Sequence, residues 1–168
     1  AILPSEKFGN ETSYPAIDLK IQEYIMYSLD NFISIQKPLA DELFPLAYPT
    51  AVLLNSAANQ YVTAGLLQPL DVSPFPEGGM FSNLSRKDRI WTLAALEKLY
   101  IDLHLLPGPF KNNGGMVKFM TDALNRLSMF GYYSEWPAYG TTRSNPPGYR
   151  KLEFFPPGWQ QVGYPGVS

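Results

Sequence analysis

Cysteine is absent and histidine occurs once, at His104. Without thiols the chain can form no disulfide, thiolate nucleophile, cysteine-ligated zinc or iron–sulfur centre, or C-x-x-C-H attachment for c-type haem, and a single imidazole excludes any site that needs two. Charge is also scarce: 13 basic residues against 15 acidic ones leave a formal net charge of −2 on 168 residues. Such a surface has no overall attraction for a phosphate backbone, so nucleic acid is not an expected partner. Apolar stretches are short, fragments such as Leu93-Ala94-Ala95-Leu96, and none approaches the roughly 18 residues needed to span a bilayer, so no transmembrane segment is expected. No basic stretch followed by an apolar core precedes Ala1, and a signal peptide is therefore expected to be absent or already removed.

What is present is apolar and aromatic. Hydrophobic residues are 45% of the chain and charged residues 17%, enough to build a core and too little charge for a solvated, disordered chain. The length suits one domain, residues 1–168, that hides roughly 70% of its unfolded surface. Sixteen prolines, 13 glycines and 14% aromatics are the features that need a reason.

After an extended start containing Pro4, Ile17, Ile21, Tyr24, Ile25, Leu29, Phe32 and Ile33 recur at helical spacing and predict a helix from about Pro15 to Gln36, ended by Pro38. A second helix is predicted from Thr50 to about Ala64, closed by Gly65. Residues 66–84 read as a long connection, irregular because of Pro69, Pro74, Pro76, Gly78 and Gly79, and laid on the body through Leu66, Leu67, Leu70, Phe75, Met80 and Phe81. Ser85 followed by Asp88 resembles a capping box and opens a third helix that is expected to run to Pro107. Its two apolar stripes, Ile90/Ala94/Ile101 and Leu93/Leu96/Tyr100/Leu103, leave a narrow polar edge at Asp88, Ala95, Lys98 and Asp102, which marks it as the central, most buried helix. A last helix from Gly115 to about Phe130 is expected to turn Met116, Met120, Ala123, Leu124, Leu127 and Phe130 inward. No alternating strand is evident. The expected class is all-α, a small bundle of about four main helices forming a body over residues 1–130.

Residues 131–168 differ in composition: nine aromatics, Tyr132, Tyr133, Trp136, Tyr139, Tyr149, Phe154, Phe155, Trp159 and Tyr164, stand among six prolines and six glycines. This arm is not expected to be helical, and it is too aromatic to stay solvated, since a ring brings roughly 1.5–3 kcal/mol on full burial. It either folds back over its own bundle or covers a partner subunit.

A search for chemistry returns little. No G-x-G-x-x-G follows a strand; Gly78-Gly79 and Gly114-Gly115 are isolated doublets. Glu97 and His104 fall on one side of the predicted third helix, seven residues and roughly 10 Å apart, too far to pair directly. His104 reads as a hydrogen-bonded core or boundary residue and Glu97 as a partner for a donor such as Arg126. The scattered acids Asp41, Glu42, Glu97 and Asp122 have no spacing that supports a carboxylate pair. The residues by themselves therefore give no catalytic group, cofactor site or metal site; exposed Trp136, Trp159 and the tyrosines are equally compatible with stacking on sugars.

The order of features carries a resemblance: an amphipathic first helix, Phe81-Ser82-Asn83-Leu84-Ser85 before a capped helix, a helix leading into Gly131-Tyr132-Tyr133, then Trp136-Pro137-Ala138-Tyr139-Gly140 and a closing Pro157-Gly158-Trp159-Gln160-Gln161-Val162-Gly163-Tyr164-Pro165-Gly166. Over residues 15–166, and most specifically over the last 35 or so, the chain resembles the gluconate 2-dehydrogenase subunit 3 family. It departs from the family after Gly140, where Thr141-Thr142-Arg143 and Pro146-Pro147-Gly148 replace the usual Gly-Asn. The resemblance implies a non-catalytic small subunit that binds, stabilises and escorts for export a large FAD-dependent sugar or alcohol dehydrogenase subunit, joined in some members by a cytochrome c subunit. It implies twin-arginine (Tat) export, a periplasmic location and FAD in the partner rather than in this chain. Contacts with that partner are expected through the nine arm aromatics, because Pro and Gly steps leave the backbone less freedom to lose on docking and Trp and Tyr are common interface anchors, the alternative surface being the exposed face of the first helix. The competing reading is a stand-alone helical ligand- or carbohydrate-binding module.

Overall fold

The computed structural model describes residues 14–33, 35–36, 43–72, 75 and 77–166. Pro4, Pro38, Asp41, Glu42, Pro74 and Pro76 lie outside them. The chain is all-α: α1 (Ile21–Asn31), α2 (Ala47–Thr63), α3 (Arg86–Glu97), α4 (Gly114–Tyr133) and α5 (Pro157–Val162), with 3-10 turns at Leu103–Leu105, Trp136–Thr142 and Pro147–Tyr149. Between α1 and α2 a two-residue antiparallel pair, β1 (Ile35–Gln36) and β2 (Leu43–Phe44), is the one strand pairing among the described residues, apart from an isolated bridge between Pro69 and Leu84. Two compact units are formed, residues 29–124 and residues 14–28 with 125–166.

In the first unit α2 packs on α3. Leu53, Ala57, Ala58 and Tyr61 from α2, Leu84, Ala95 and Leu96, then Phe110, Val117 and Met120 make its core. The Ser85 cap forms: the Asp88 N–H donates to Ser85 Oγ at 3.2 Å, and the hydroxyl donates to the Asp88 carboxylate at 2.7 Å. The connection over 66–84 does reach the body, through fully buried Leu84 and half-buried Leu67, Met80 and Phe81, whereas Leu66, Leu70 and Phe75 are exposed. Asn55 anchors it by accepting from the Phe81 N–H at 3.0 Å, and a Cβ on Gly79 would lie only 2.2 Å from the Asn55 amide.

α3 ends ten residues earlier than its pattern predicts. Leu99 takes φ +57°, the Leu99 N–H donates to Leu96 O (3.1 Å) and the Tyr100 N–H to Ala95 O (2.8 Å), which is a Schellman ending with leucine where glycine is usual. Beyond it the backbone runs back along α2: Gln60 Nε2 donates to Asp102 O (3.0 Å), the Asp102 N–H donates to Gln60 Oε1 (2.7 Å), and Tyr61 Oη donates to Tyr100 O. These contacts and packing of the Leu99 side chain toward Gly114, where a Cβ would come within 2.8 Å of it, replace the lost helical turns. The stripes assigned to this helix therefore shift. Ala95, placed on the polar edge, is buried, while Ile90 and Tyr100 are exposed. Likewise in α4 the buried line is Val117, Met120, Ala123 and Leu127, and Phe130, expected inward, is exposed.

α1 is also shorter than the periodicity suggests. Residues 16–20 form turns, and Lys20 at φ +56° resets the backbone before the helix starts at Ile21. In the second unit Leu19, Ile21 and Tyr132 form a buried cluster with Tyr14, Ala16 and Ile25 against it. α4 approaches α1 closely there: a Cβ on Gly131 would stand 2.7 Å from the Tyr24 ring.

Candidate functional site

The segment from 131 onward is not uniformly irregular. Besides α5 it holds two 3-10 turns, because Pro137, Pro147 and Pro157 each supply the fixed φ of a helical first turn. The glycines of the motif have local reasons. Gly140, at φ +47°, lies where a Cβ would strike the Glu153 carboxylate at 1.9 Å; that carboxylate accepts from the Thr141 N–H at 2.9 Å and from the Thr141 hydroxyl. These hydrogen bonds hold the Glu153 carboxyl below its ordinary range. Gly158 lets α5 approach α4, since a Cβ there would fall 2.4 Å from Tyr132 O, and Gly163, at φ +69°, closes α5 in the left-handed conformation.

The nine arm aromatics separate into three groups. Tyr132 and Trp136 are 1% and 5% exposed. Tyr132 Oη donates to Tyr14 O at 3.0 Å and Trp136 Nε1 to Lys20 O at 3.0 Å, so both tie the unit together, Trp136 also lining the cleft described below. Tyr139 and Trp159 are half-buried: Tyr139 Oη donates to Glu135 Oε2 at 2.6 Å, and Trp159 Nε1 to Tyr133 O at 2.9 Å. Tyr133, Tyr149, Phe154, Phe155 and Tyr164 are exposed, Tyr149 by 73%. Trp159 meets Phe155 and Tyr164 edge to face at 5.9 and 4.9 Å, making one aromatic cluster at the surface.

Beside that cluster lies an open cleft of about 640 Å³, lined by Tyr133, Tyr139, Trp159 and Tyr164 with Glu135 and Arg150. A second, more apolar cleft shares Tyr133 and Ser134 and is walled by Met129 and Phe130. Sequence reasoning passed over Glu135, Arg143 and Arg150. The available signal was a cation set in a ring-dense segment, where a guanidinium finds an aromatic face. Arg150 does so, 4.8 Å from the Tyr27 ring centroid and 5.2 Å from that of Trp136.

Other sequence candidates are not assembled into a site. His104 sits exposed on the Leu103–Leu105 turn, not on α3, and Glu97 is exposed at the end of α3. The start of α4 is capped by its own chain, Asn113 Oδ1 accepting from the Met116 N–H at 3.0 Å. Among the described residues no group of three or more His, Asp or Glu could hold a metal ion, and no helix is long and apolar enough to cross a membrane. No family model, curated protein or solved structure matches this chain.

Proposed function

We propose that this chain is a non-catalytic accessory subunit that binds and stabilises a large FAD-dependent sugar or alcohol dehydrogenase subunit and accompanies it through Tat export to the periplasm, with the flavin held by the partner, as in the family it resembles, some members of which add a cytochrome c subunit. The observation that carries this reading is the surface of the second unit. Phe155 and Tyr164 stand exposed around Trp159, with Phe154 exposed next to them in the chain, on a backbone pinned by Trp159 Nε1, Glu153 and Gly163, and exposed Met129 and Phe130 wall the apolar cleft of the same unit. Clustered exposed rings of this kind mark an interface rather than a solvated face, and rigid aromatic anchors lose little entropy on docking. The residues of the family-like ending, Gly158, Trp159, Gly163 and Tyr164, build that surface.

The test is copurification of the flavoprotein subunit with the full chain or with a Phe154→Ser/Phe155→Ser/Tyr164→Ser variant. Trp136, being buried, is left intact so that the fold is not the thing tested. Aromatic anchors at such sites are worth about 2 kcal/mol or more each, so the variant is expected to lose the partner and to lower its flavin content. A folded variant, checked by circular dichroism, that retains a fully loaded partner at wild-type affinity removes this surface from the interface.

A further inference from the structure

The two arginines of the C-terminal segment are engaged differently. Arg143 directs its guanidinium inward, Nε donating to Trp136 O at 3.2 Å and Nη2 to Pro137 O at 3.1 Å, with Nη1 3.7 Å from the Glu23 carboxylate. Arg150 donates only through Nε, to Asn145 O at 2.9 Å. Its guanidinium carbon lies 4.8, 5.2 and 6.0 Å from the ring centroids of Tyr27, Trp136 and Tyr139, and its two terminal nitrogens meet no acceptor among the described residues. Arg150 lines the open cleft, where Trp159, Tyr164, Val162 and Tyr133 supply apolar walls.

We propose that this cleft binds a small organic carboxylate carried on an aromatic or apolar skeleton, with Nη1 and Nη2 of Arg150 as the fork that receives it. Once rings surround a guanidinium and a carbonyl occupies its Nε–H, the edge left is the terminal one, and its two parallel N–H groups match the two oxygens of a carboxylate. The stacking fixes the side chain beforehand, so less freedom is lost on binding. The aromatic walls of the cleft also give the skeleton an apolar face to lie on. Glu135 lines the same cleft with one oxygen held by Tyr139 Oη. Its charge opposes an anion, so a single planar negative charge fits the one available fork better than the doubled charge of a phosphate. This inference does not rest on the flavoprotein reading.

The experiment titrates the purified full chain with phenylacetate and with its neutral isostere phenylacetamide, following tryptophan fluorescence and the Arg150 Nε–H resonance. Phenylacetate is expected to saturate and to bind at least about tenfold more tightly than the amide, the ratio expected when a charge-assisted pair is replaced by a neutral one. Arg150→Gln abolishes that preference, and Glu135→Gln tightens phenylacetate. Equal affinity for acid and amide, no saturable response, a preference unchanged in folded Arg150→Gln, or inorganic phosphate binding as tightly as phenylacetate each overturns the proposal. Should Arg150→Gln fail to fold, the acid and amide comparison on the wild-type chain still decides. Copurification of the flavoprotein is read separately, so failure here leaves the subunit reading standing, and the reverse holds too.

Discussion

Tyr139 shows how one side chain of the second unit ties stability to pH. Burial first, and then its hydrogen bond to the Glu135 carboxylate, raises its phenol from 10.0 to about 12, against a smaller opposing effect of Arg150. The folded state thus holds the phenolic proton more tightly than the unfolded chain does. That contribution is fully present below pH 10 and is lost as pH rises through about 12. The melting temperature is expected to fall across this window and to fall less steeply in Tyr139→Phe. Tyr61 and Tyr132, both raised by burial, keep some of the slope in that variant. Identical alkaline slopes for the two proteins would show that the Tyr139 phenol does not carry the effect. The sequence marks Tyr139 only as one aromatic among nine; which of them is buried, which is hydrogen-bonded and which faces solvent depends on partners such as Lys20 O and Tyr14 O, more than a hundred residues away.

At the scale of the element, the ends of helices decide more than their middles. The start of α3 is legible because its signal is local: Ser85 and Asp88 satisfy each other within one turn. Its end is not, because Leu99 has no intrinsic liking for positive φ and accepts it for the sake of contacts with α2 and Gly114. The consequence is testable on two leucines of the same predicted stripe. Leu96→Ala, at a fully buried position, is expected to cost about 2–5 kcal/mol through the cavity it leaves. Leu103→Ala, half-buried on a turn, is expected to cost under about 2 kcal/mol, and His104→Gln, exposed beside it, to stay within about 0.5 kcal/mol. Chemical denaturation measures all three; equal losses for the two leucines would restore the long helix.

For the whole molecule the ligand inventory governs the spectrum. One histidine, no cysteine and, among the described residues, no cluster of acids leave little to hold a transition metal or haem. The purified chain is expected to show protein absorbance alone and to carry no stoichiometric metal by elemental analysis; under the proposed accessory role, flavin is expected only in preparations that contain a flavoprotein partner. Flavin bound in equal amount to the isolated chain would end the accessory-subunit reading and make this chain a cofactor carrier in its own right.

Composition and period determined the class: helical spacing of apolar residues around capped starts and proline breaks needs no tertiary partner to be read, and α2, α3 and α4 begin within three residues of where those signals place them. The fate of the aromatic segment was decided by tertiary structure. A ring has the same transfer free energy wherever it stands in the sequence, so composition states that the arm must be covered or must cover something without saying which rings do either. Only the folded chain sets Trp136 beneath Tyr24 and Tyr27, turns Phe154 and Phe155 to solvent, and brings Arg150 to the lining of a cleft. The reason is that burial is a property of packing between distant segments, whereas periodicity and capping act within a few residues of one another.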